Sequence, residues 1–129
     1  MLIHHVGYAV KSISDSLAEF EALGFTPIGE VVADTGRNIS IQFLKNEDYC
    51  IELVAPLNNR SPVSEMLRKT GNQTYHLCYI SSDLTNDMNQ LKKRGYVVIN
   101  DPVEAPAINN RKVTFMYHTN VGLIELVEQ

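Results

Sequence analysis

One pattern of residues occurs twice along this chain. His5 opens the first copy and His76 opens the second, a spacing of 76 − 5 = 71 residues. The same shift carries the residues of one helix-like segment onto another: Ile13, Leu17, Phe20 and Gly24 onto Leu84, Met88, Leu91 and Gly95. Glu52 and Glu125 close the copies at a spacing of 125 − 52 = 73, so about two residues are inserted late in the second copy. A repeat of this length predicts two copies of one supersecondary unit around a common core.

The length of the chain allows one domain built from the two copies. We expect a single domain over residues 1–129, with a first module at about 1–58 and a second at about 74–129. Between them, Ser61-Pro62 is a typical helix start and predicts a linker helix at about 61–70.

Charge and composition argue against several classes of partner. The formal net charge is −4, which gives no electrostatic basis for binding nucleic acid or an anionic membrane. No apolar run approaches the roughly 20 residues that span a bilayer. The two cysteines, Cys50 and Cys78, form no CxxC motif, and the first residues do not resemble a secretion signal. We therefore expect a reducing, cytoplasmic setting, with no nucleic-acid or membrane partner.

Hydrophobic periodicity predicts the order β-α-β-β-β in each module. Ser12 or Ser14 is expected to cap the first helix, and Ser82 or Asp83 the helix of the second module. Residues 101–110 read as a long loop. The predicted strands cover residues 3–10, 25–32, 39–44 and 49–54 in the first module, and 75–80, 96–99, 113–117 and 123–127 in the second.

Alternation along the strands separates a polar face from an apolar one. His5, Glu52, His76 and Glu125 fall on one face, where the small residues Gly7 and Ala9 leave room for a bound molecule. The residues that alternate with these four are apolar and are expected to pack under the helices: Val6, Tyr8, Ile51, Leu53, Leu77, Tyr79, Ile124 and Leu126.

Two imidazoles and two carboxylates at one point would form a metal site. The set His5, Glu52, His76 and Glu125 suits a divalent ion such as Zn, Ni, Co, Mn or Fe. Such an ion can act as a Lewis acid on a carbonyl oxygen, and Glu125 or Glu52 could then remove a proton from the neighbouring carbon. The alternative is a pair of buried His–Glu hydrogen bonds without a metal.

Other polar residues receive weaker interpretations. His4 alternates away from His5 and is expected at the surface. His118 lies at a strand end, where it could contact a ligand, but we expect it to face solvent. Cys50 and Cys78 share the polar face by alternation and are expected to line a pocket.

The whole chain resembles the vicinal oxygen chelate (glyoxalase/bleomycin resistance/dioxygenase) superfamily. This resemblance implies an α+β fold in which two βαβββ modules form a curved mixed sheet around a metal site. It also implies that His5, Glu52, His76 and Glu125 are the metal ligands. The segments that carry it are His5-Val6-Gly7-Tyr8-Ala9-Val10, Ile51-Glu52-Leu53-Val54-Ala55-Pro56, Tyr75-His76-Leu77-Cys78-Tyr79 and Gly122-Leu123-Ile124-Glu125-Leu126-Val127-Glu128.

Within that superfamily the linker and the final strand are similar to those of methylmalonyl-CoA epimerases. This implies an isomerase that moves a proton on the carbon next to the carbonyl of an acyl-CoA. Two acid/base groups would carry out this transfer, and Glu125 could be one of them. The glutamate that the epimerases carry on the third strand has no match between Ile39 and Phe43, where Gln42 is nearest.

Two other functions remain open at this point. Glyoxalase I (lactoylglutathione lyase) uses a similar ligand set on a thiol hemithioacetal, and some members of the superfamily bind drugs without turnover. The resemblance further implies a small-molecule substrate, an acyl-CoA or a thiol adduct, and a homodimer. The metal site could lie within one chain or across two.

Overall fold

Nine strands and three α-helices make up the computed structural model, which describes all residues from 1 to 129. The helices are α1 (Ile13–Ala22), α2 (Ser64–Thr70) and α3 (Leu84–Lys93), and a short 3-10 turn covers Pro106–Ile108. The strands are β1 (Leu2–Ala9), β2 (Thr26–Asp34), β3 (Ile39–Asn46), β4 (Tyr49–Pro56), β5 (Gln73–Ser81), β6 (Val97–Val98), β7 (Val103–Ala105), β8 (Arg111–His118) and β9 (Gly122–Glu128). No helix is long and apolar enough to cross a membrane.

The strands belong to a mixed sheet, which confirms the predicted α+β class. The chain divides into two compact units, an N-terminal unit of Val6–Tyr75 and a C-terminal unit of Met1–His5 with His76–Gln129. The N-terminal unit has the strand order β2-β3-β4-β1, and the C-terminal unit has β5-β9-β8-β6 with β7 also paired to β8.

Each unit contains one parallel pair of strands. β1 runs parallel to β4, and β5 runs parallel to β9, while the remaining pairs are antiparallel. A parallel pair requires a long crossover, and in both units that crossover contains a helix. The repeat in the sequence is therefore a repeat of the order β-α-β-β-β, with β7 as one additional short strand in the second copy.

The apolar face of each unit packs against its helix. In the N-terminal unit, Leu53 and Ile51 of β4 lie in a core with Ile13 of α1, and Phe20 and Tyr8 pack against it. In the C-terminal unit the corresponding core contains Leu84, Met88, Met116, Ile124 and Leu126. Burial of one such side chain stabilises the fold by about 1.5–3 kcal/mol. The predicted division into an apolar and a polar face is confirmed for these strands.

Both long helices begin at a capping side chain and end at a glycine turn. The backbone N–H of Asp15 donates to Ser12 Oγ at 3.3 Å, and that of Asn86 donates to Asp83 Oδ1 at 3.0 Å. Of the alternatives predicted, Ser12 and Asp83 are therefore the caps. After the helices, Gly24 and Gly95 take φ angles of 99° and 95°, which favour glycine.

The linker helix α2 begins three residues later than the Ser61-Pro62 signal predicted. Asn58 holds the preceding segment in a turn, because its side-chain oxygen accepts from the Arg60 N–H at 2.9 Å and its carbonyl accepts from Ser64 Oγ at 2.9 Å. The carbonyl of Ser61 accepts from the Ser64 N–H within this turn. The first helical residue is consequently Ser64, with Val63 at the N-cap position.

Part of the segment 101–110, predicted to be a loop, pairs with the sheet. β6 ends at Val98, and Asn100 then bonds to β8 twice: its carbonyl accepts from Thr114 Oγ1 at 2.6 Å and its side-chain oxygen accepts from the Phe115 N–H at 2.9 Å. These bonds replace regular ladder pairing for a few residues. The chain returns to β8 as β7 before the 3-10 turn.

Candidate metal centre

Three buried side chains from three strands meet at one point in the C-terminal unit. Nε2 of His5 lies 3.2 Å from Nε2 of His76, and each of these nitrogens lies 3.2 Å from Oε2 of Glu125. His5 and Glu125 are each 1% exposed and His76 is 4% exposed. The three donor atoms therefore form a nearly equilateral triangle that is shielded from solvent.

The register of the parallel pair explains how β5 and β9 bring their two residues together. Cys78 on β5 is the register partner of Glu125 on β9, and His76 lies two residues before Cys78. Residues two apart in a strand point to the same face, so His76 and Glu125 share the face opposite α3. Phe115 on β8 is the other register partner of Glu125, and its ring contacts the His76 ring edge-on at 5.1 Å. This contact fixes the plane of the His76 imidazole.

The two imidazoles keep Glu125 ionised. Burial by itself would raise the pKa of Glu125, but hydrogen bonds to His5 and His76, together with the charge of those rings, outweigh burial and hold this pKa well below its usual range. Burial raises the pKa of the neighbouring Cys78 to about 12, so the thiol stays protonated beside a deprotonated carboxylate. A metal ligand must carry a free lone pair, and an ionised Glu125 meets this condition.

The geometry of the donor triangle fits a divalent ion. A transition metal is usually about 2.1 Å from an imidazole nitrogen or a carboxylate oxygen. At that length each 3.2 Å edge subtends roughly 100° at the ion. This angle lies between the tetrahedral and octahedral values, and a donor set of two imidazole nitrogens and one carboxylate oxygen suits Zn, Ni, Co, Mn or Fe.

Glu52, the fourth predicted ligand, is a buried residue of the N-terminal unit. It is 3% exposed and lies on β4, with Gly7 of β1 and Phe43 of β3 as its register partners. It therefore lies on the strand face opposite Leu53 and the core beneath α1. A carboxylate buried in an apolar strand is costly without a polar partner or a metal, so the position itself indicates a specific role.

His4 alternates with the buried His5 along β1, as predicted, but it also contacts the ring of His5. It is only partly exposed, and its Nδ1 lies 2.8 Å from Nδ1 of His5. Strand neighbours normally point to opposite faces, so this contact could not be read from periodicity. The only signal in the sequence is the pair of adjacent histidines. His4, His5 and Cys78 form a second group of possible metal-ligating side chains, which shares His5 with the triangle.

His118 lies away from the triangle. Its Nδ1 accepts from the Asn120 N–H at 3.1 Å, and its ring lies over Tyr96 at 4.8 Å. These contacts stabilise the turn after β8, so they give His118 a structural role. Of the two cysteines, Cys78 is buried beside His5 and Glu125, whereas Cys50 is partly exposed on β4.

The side chain of Gln42 lies on the face of β3 opposite to the polar face, where it makes hydrogen bonds to the backbone. It is the register partner of Leu53, so its side chain lies on the face that packs under α1. Its Nε2 donates to the carbonyls of Ile28 at 3.1 Å and Gly29 at 3.2 Å. The β2–β3 register shifts between Ile28 and Val32, and Gln42 donates to two carbonyls beside this irregularity. Gln42 therefore does not replace a proton-transferring group on the polar face.

Residues 4–115 match the model of the Glyoxalase/Bleomycin resistance protein/Dioxygenase superfamily, and the chain belongs to this superfamily. Over 129 residues it is 27% identical to the uncharacterized protein YqjC of Bacillus subtilis, covering 98% of this chain and 91% of that one. It is 23% identical to the ethylmalonyl-CoA/methylmalonyl-CoA epimerase of Cereibacter sphaeroides, covering 96% of this chain and 95% of that one.

A solved structure agrees with this assignment. The crystal structure of the methylmalonyl-CoA epimerase from Mycobacterium tuberculosis matches with a TM-score of 0.85 and 26% identity, covering 98% of this chain and 86% of that one. The fold is therefore glyoxalase-like, as the resemblance implied, and the relatives include methylmalonyl-CoA epimerases.

Proposed function

We propose that this chain is a divalent-metal-dependent isomerase that removes and returns a proton on the carbon next to the carbonyl of an acyl-CoA thioester. The observation that carries the proposal is the buried triangle of His5, His76 and Glu125, with edges of 3.2 Å. The similarity to proteins named as methylmalonyl-CoA epimerases supports the substrate class.

Glu52 is proposed as the fourth ligand, on the evidence of the repeat. In β5 and β9, Cys78 is the register partner of Glu125 and lies two residues after His76. In β1 and β4, Gly7 is the register partner of Glu52 and lies two residues after His5. The two His–Glu pairs thus occupy equivalent places in their strand pairs. This equivalence supports a ligand set of two imidazoles and two carboxylates.

Each group has a defined task in the proposed reaction. A divalent metal held by these residues would supply Lewis acidity toward a substrate carbonyl, which would make the adjacent C–H bond more acidic. His5 and His76 hold the metal as neutral donors, and the shielding of their nitrogens from solvent strengthens every electrostatic interaction at this point. One of the two carboxylates, Glu125 or Glu52, removes the proton, and a second acid/base group delivers a proton to the opposite face of the carbon.

One observation favours a second candidate function, the isomerisation of a thiol hemithioacetal as in glyoxalase I. The register of β3 places Phe43 and Ile41 on the same face as Glu52, and the nearest amide, Gln42, lies on the other face. The register partner of Glu52 on this strand is therefore a phenylalanine, and β3 places no carboxylate on the polar face. A reaction that needs fewer proton carriers than epimerisation is compatible with that arrangement.

Solvent deuterium incorporation followed by NMR tests the proposal. The protein is loaded with Zn²⁺ or Co²⁺ and incubated with methylmalonyl-CoA in deuterated buffer, and a metal-stripped sample serves as the control. We expect exchange at C2 only in the loaded sample. The glutathione–methylglyoxal hemithioacetal is assayed in parallel.

The possible outcomes separate the functions. Turnover of the hemithioacetal alone would replace the epimerase proposal with the glyoxalase one. Bound metal with no turnover of either compound would contradict both and favour a small-molecule-binding role. Exchange that is equally fast without metal would contradict the metal-dependent mechanism.

A further inference from the structure

We infer that His4 is a positioning residue that fixes the tautomer of His5, so that Nε2 of His5 is presented to the metal as a bare donor. This inference rests on the metal site proposed above. It concerns a residue outside the four predicted ligands.

The direction of the hydrogen bond follows from the position of the His5 ring. Nε2 of His5 faces Nε2 of His76 and the carboxylate of Glu125, so this nitrogen is the one that binds an ion held by the triangle. A neutral imidazole carries one proton, and with Nε2 bound to a metal that proton lies on Nδ1. Nδ1 of His5 then donates to the atom 2.8 Å away, which is Nδ1 of His4.

His4 must in turn be an acceptor at that position. Its Nδ1 is unprotonated and its own proton lies on Nε2, because two facing N–H groups cannot share a 2.8 Å contact. A metal-bound histidine commonly donates its second N–H to a partner that fixes the ring and raises its basicity. That partner is usually a carboxylate, a carbonyl or water, and here it is a second imidazole.

The repeat shows that this arrangement belongs to one copy only. The position that corresponds to His4 is 4 + 71 = 75, which is a tyrosine. The ring of His76 packs edge-on against Phe115. The support that His4 gives to His5 is therefore not repeated by a histidine in the residue before His76.

Two substitutions of His4 separate hydrogen bonding from packing. Asn carries its amide oxygen on Cγ, where imidazole carries Nδ1, so His4→Asn retains an acceptor for His5. His4→Leu fills a similar volume without one. His118→Leu removes an imidazole that lies away from the triangle and is the matched control.

The first measurement is the Zn²⁺ affinity of the full chain by chelator competition. We expect His4→Leu to weaken binding by about 10–100-fold, whereas His4→Asn and His118→Leu keep most of the wild-type affinity. The same loss in His4→Asn and His4→Leu, or no loss in His4→Leu, would overturn the positioning role.

The second measurement is a long-range ¹H–¹⁵N NMR spectrum of the Zn²⁺-loaded wild type, which does not depend on any variant folding. The expected result is a proton on Nδ1 of His5 and on Nε2 of His4, and a protonated Nδ1 on His4 would contradict the inference. If the wild type fails to bind Zn²⁺, the proposed metal site is wrong and the role of His4 falls with it. If the wild type binds and only the His4 results disagree, the metal site stands without this support.

Discussion

Nε2 of His5 lies 3.2 Å from Nε2 of His76, although 71 residues separate them in the chain. The two rings are nearly perpendicular, with an interplanar angle of 77° and centroids 5.3 Å apart. Both nitrogens also lie 3.2 Å from one carboxylate oxygen of Glu125. The lone pairs of two imidazoles and a carboxylate therefore converge on a volume the size of one ion.

Replacing Glu125 by glutamine should disable this site. The amide is neutral and a weaker donor to a cation, so we expect the affinity for Zn²⁺ to fall by more than about 100-fold, beyond the loss caused by removing an outer hydrogen-bond partner. Isothermal titration measures the affinity, and deuterium exchange on methylmalonyl-CoA should disappear with it. Full exchange activity at wild-type metal content would exclude Glu125 both as a ligand and as a base.

Glu52→Gln tests the proposed fourth ligand separately. If Glu52 is a ligand, metal content after gel filtration should fall below the wild-type value, because one negative donor is lost. Elemental analysis gives the amount of metal per protein chain directly. An unchanged metal content with normal exchange would show that the buried carboxylate of Glu52 has a structural role instead.

Much of the candidate site could be predicted because polar residues in apolar strands stand out. His76 and Glu125 lie in hydrophobic segments, and the 71-residue shift links His76 to His5. The contact of His4 with His5 could not be predicted for a physical reason: alternation assigns strand neighbours to opposite faces, and only the three-dimensional structure shows their Nδ1 atoms 2.8 Å apart.

The structural role of Gln42 depends on the register shift between β2 and β3. Gln42→Leu should lower the free energy of unfolding by about 0.5–1.5 kcal/mol, since it removes the hydrogen bonds that Nε2 donates to the carbonyls of Ile28 and Gly29. Metal affinity should not change, because the side chain lies on the opposite face of β3. Urea denaturation and Zn²⁺ titration of the same variant measure the two quantities. A loss of metal binding without a loss of stability would contradict this assignment.

The parts of the fold that sequence periodicity could not supply are those set by side-chain bonds in turns. Ser61-Pro62 is a valid helix start, yet the bonds of Asn58 to Arg60 and Ser64 keep the chain in a turn for three more residues. Likewise, Asn100 bonds to β8 in place of a ladder pair, which allows the following segment to return as β7. Hydrophobic patterns carry no information about such bonds.

The choice between neighbouring caps of α3 can be tested by a matched pair of variants. Asp83 accepts from the Asn86 N–H at 3.0 Å, so Asp83→Ala should lower the free energy of unfolding by about 1 kcal/mol. Ser82→Ala, one residue earlier, removes no cap and should change it by less than about 0.5 kcal/mol. Equal effects of the two variants in chemical denaturation would show that Asp83 is not the cap.

Metal binding should also appear as a gain in stability, independently of any substrate. A ligand that binds only the folded state at 100 times its Kd adds about 2.7 kcal/mol, which for a chain of this size raises Tm by roughly 10 °C. We expect this shift with Zn²⁺ in the wild type and in His118→Ala, whose imidazole lies away from the triangle. His76→Ala should lose it, because one of the three converging donors is gone. The same shift in His76→Ala would place the bound zinc elsewhere, and the group formed by His4, His5 and Cys78 would be the next site to test.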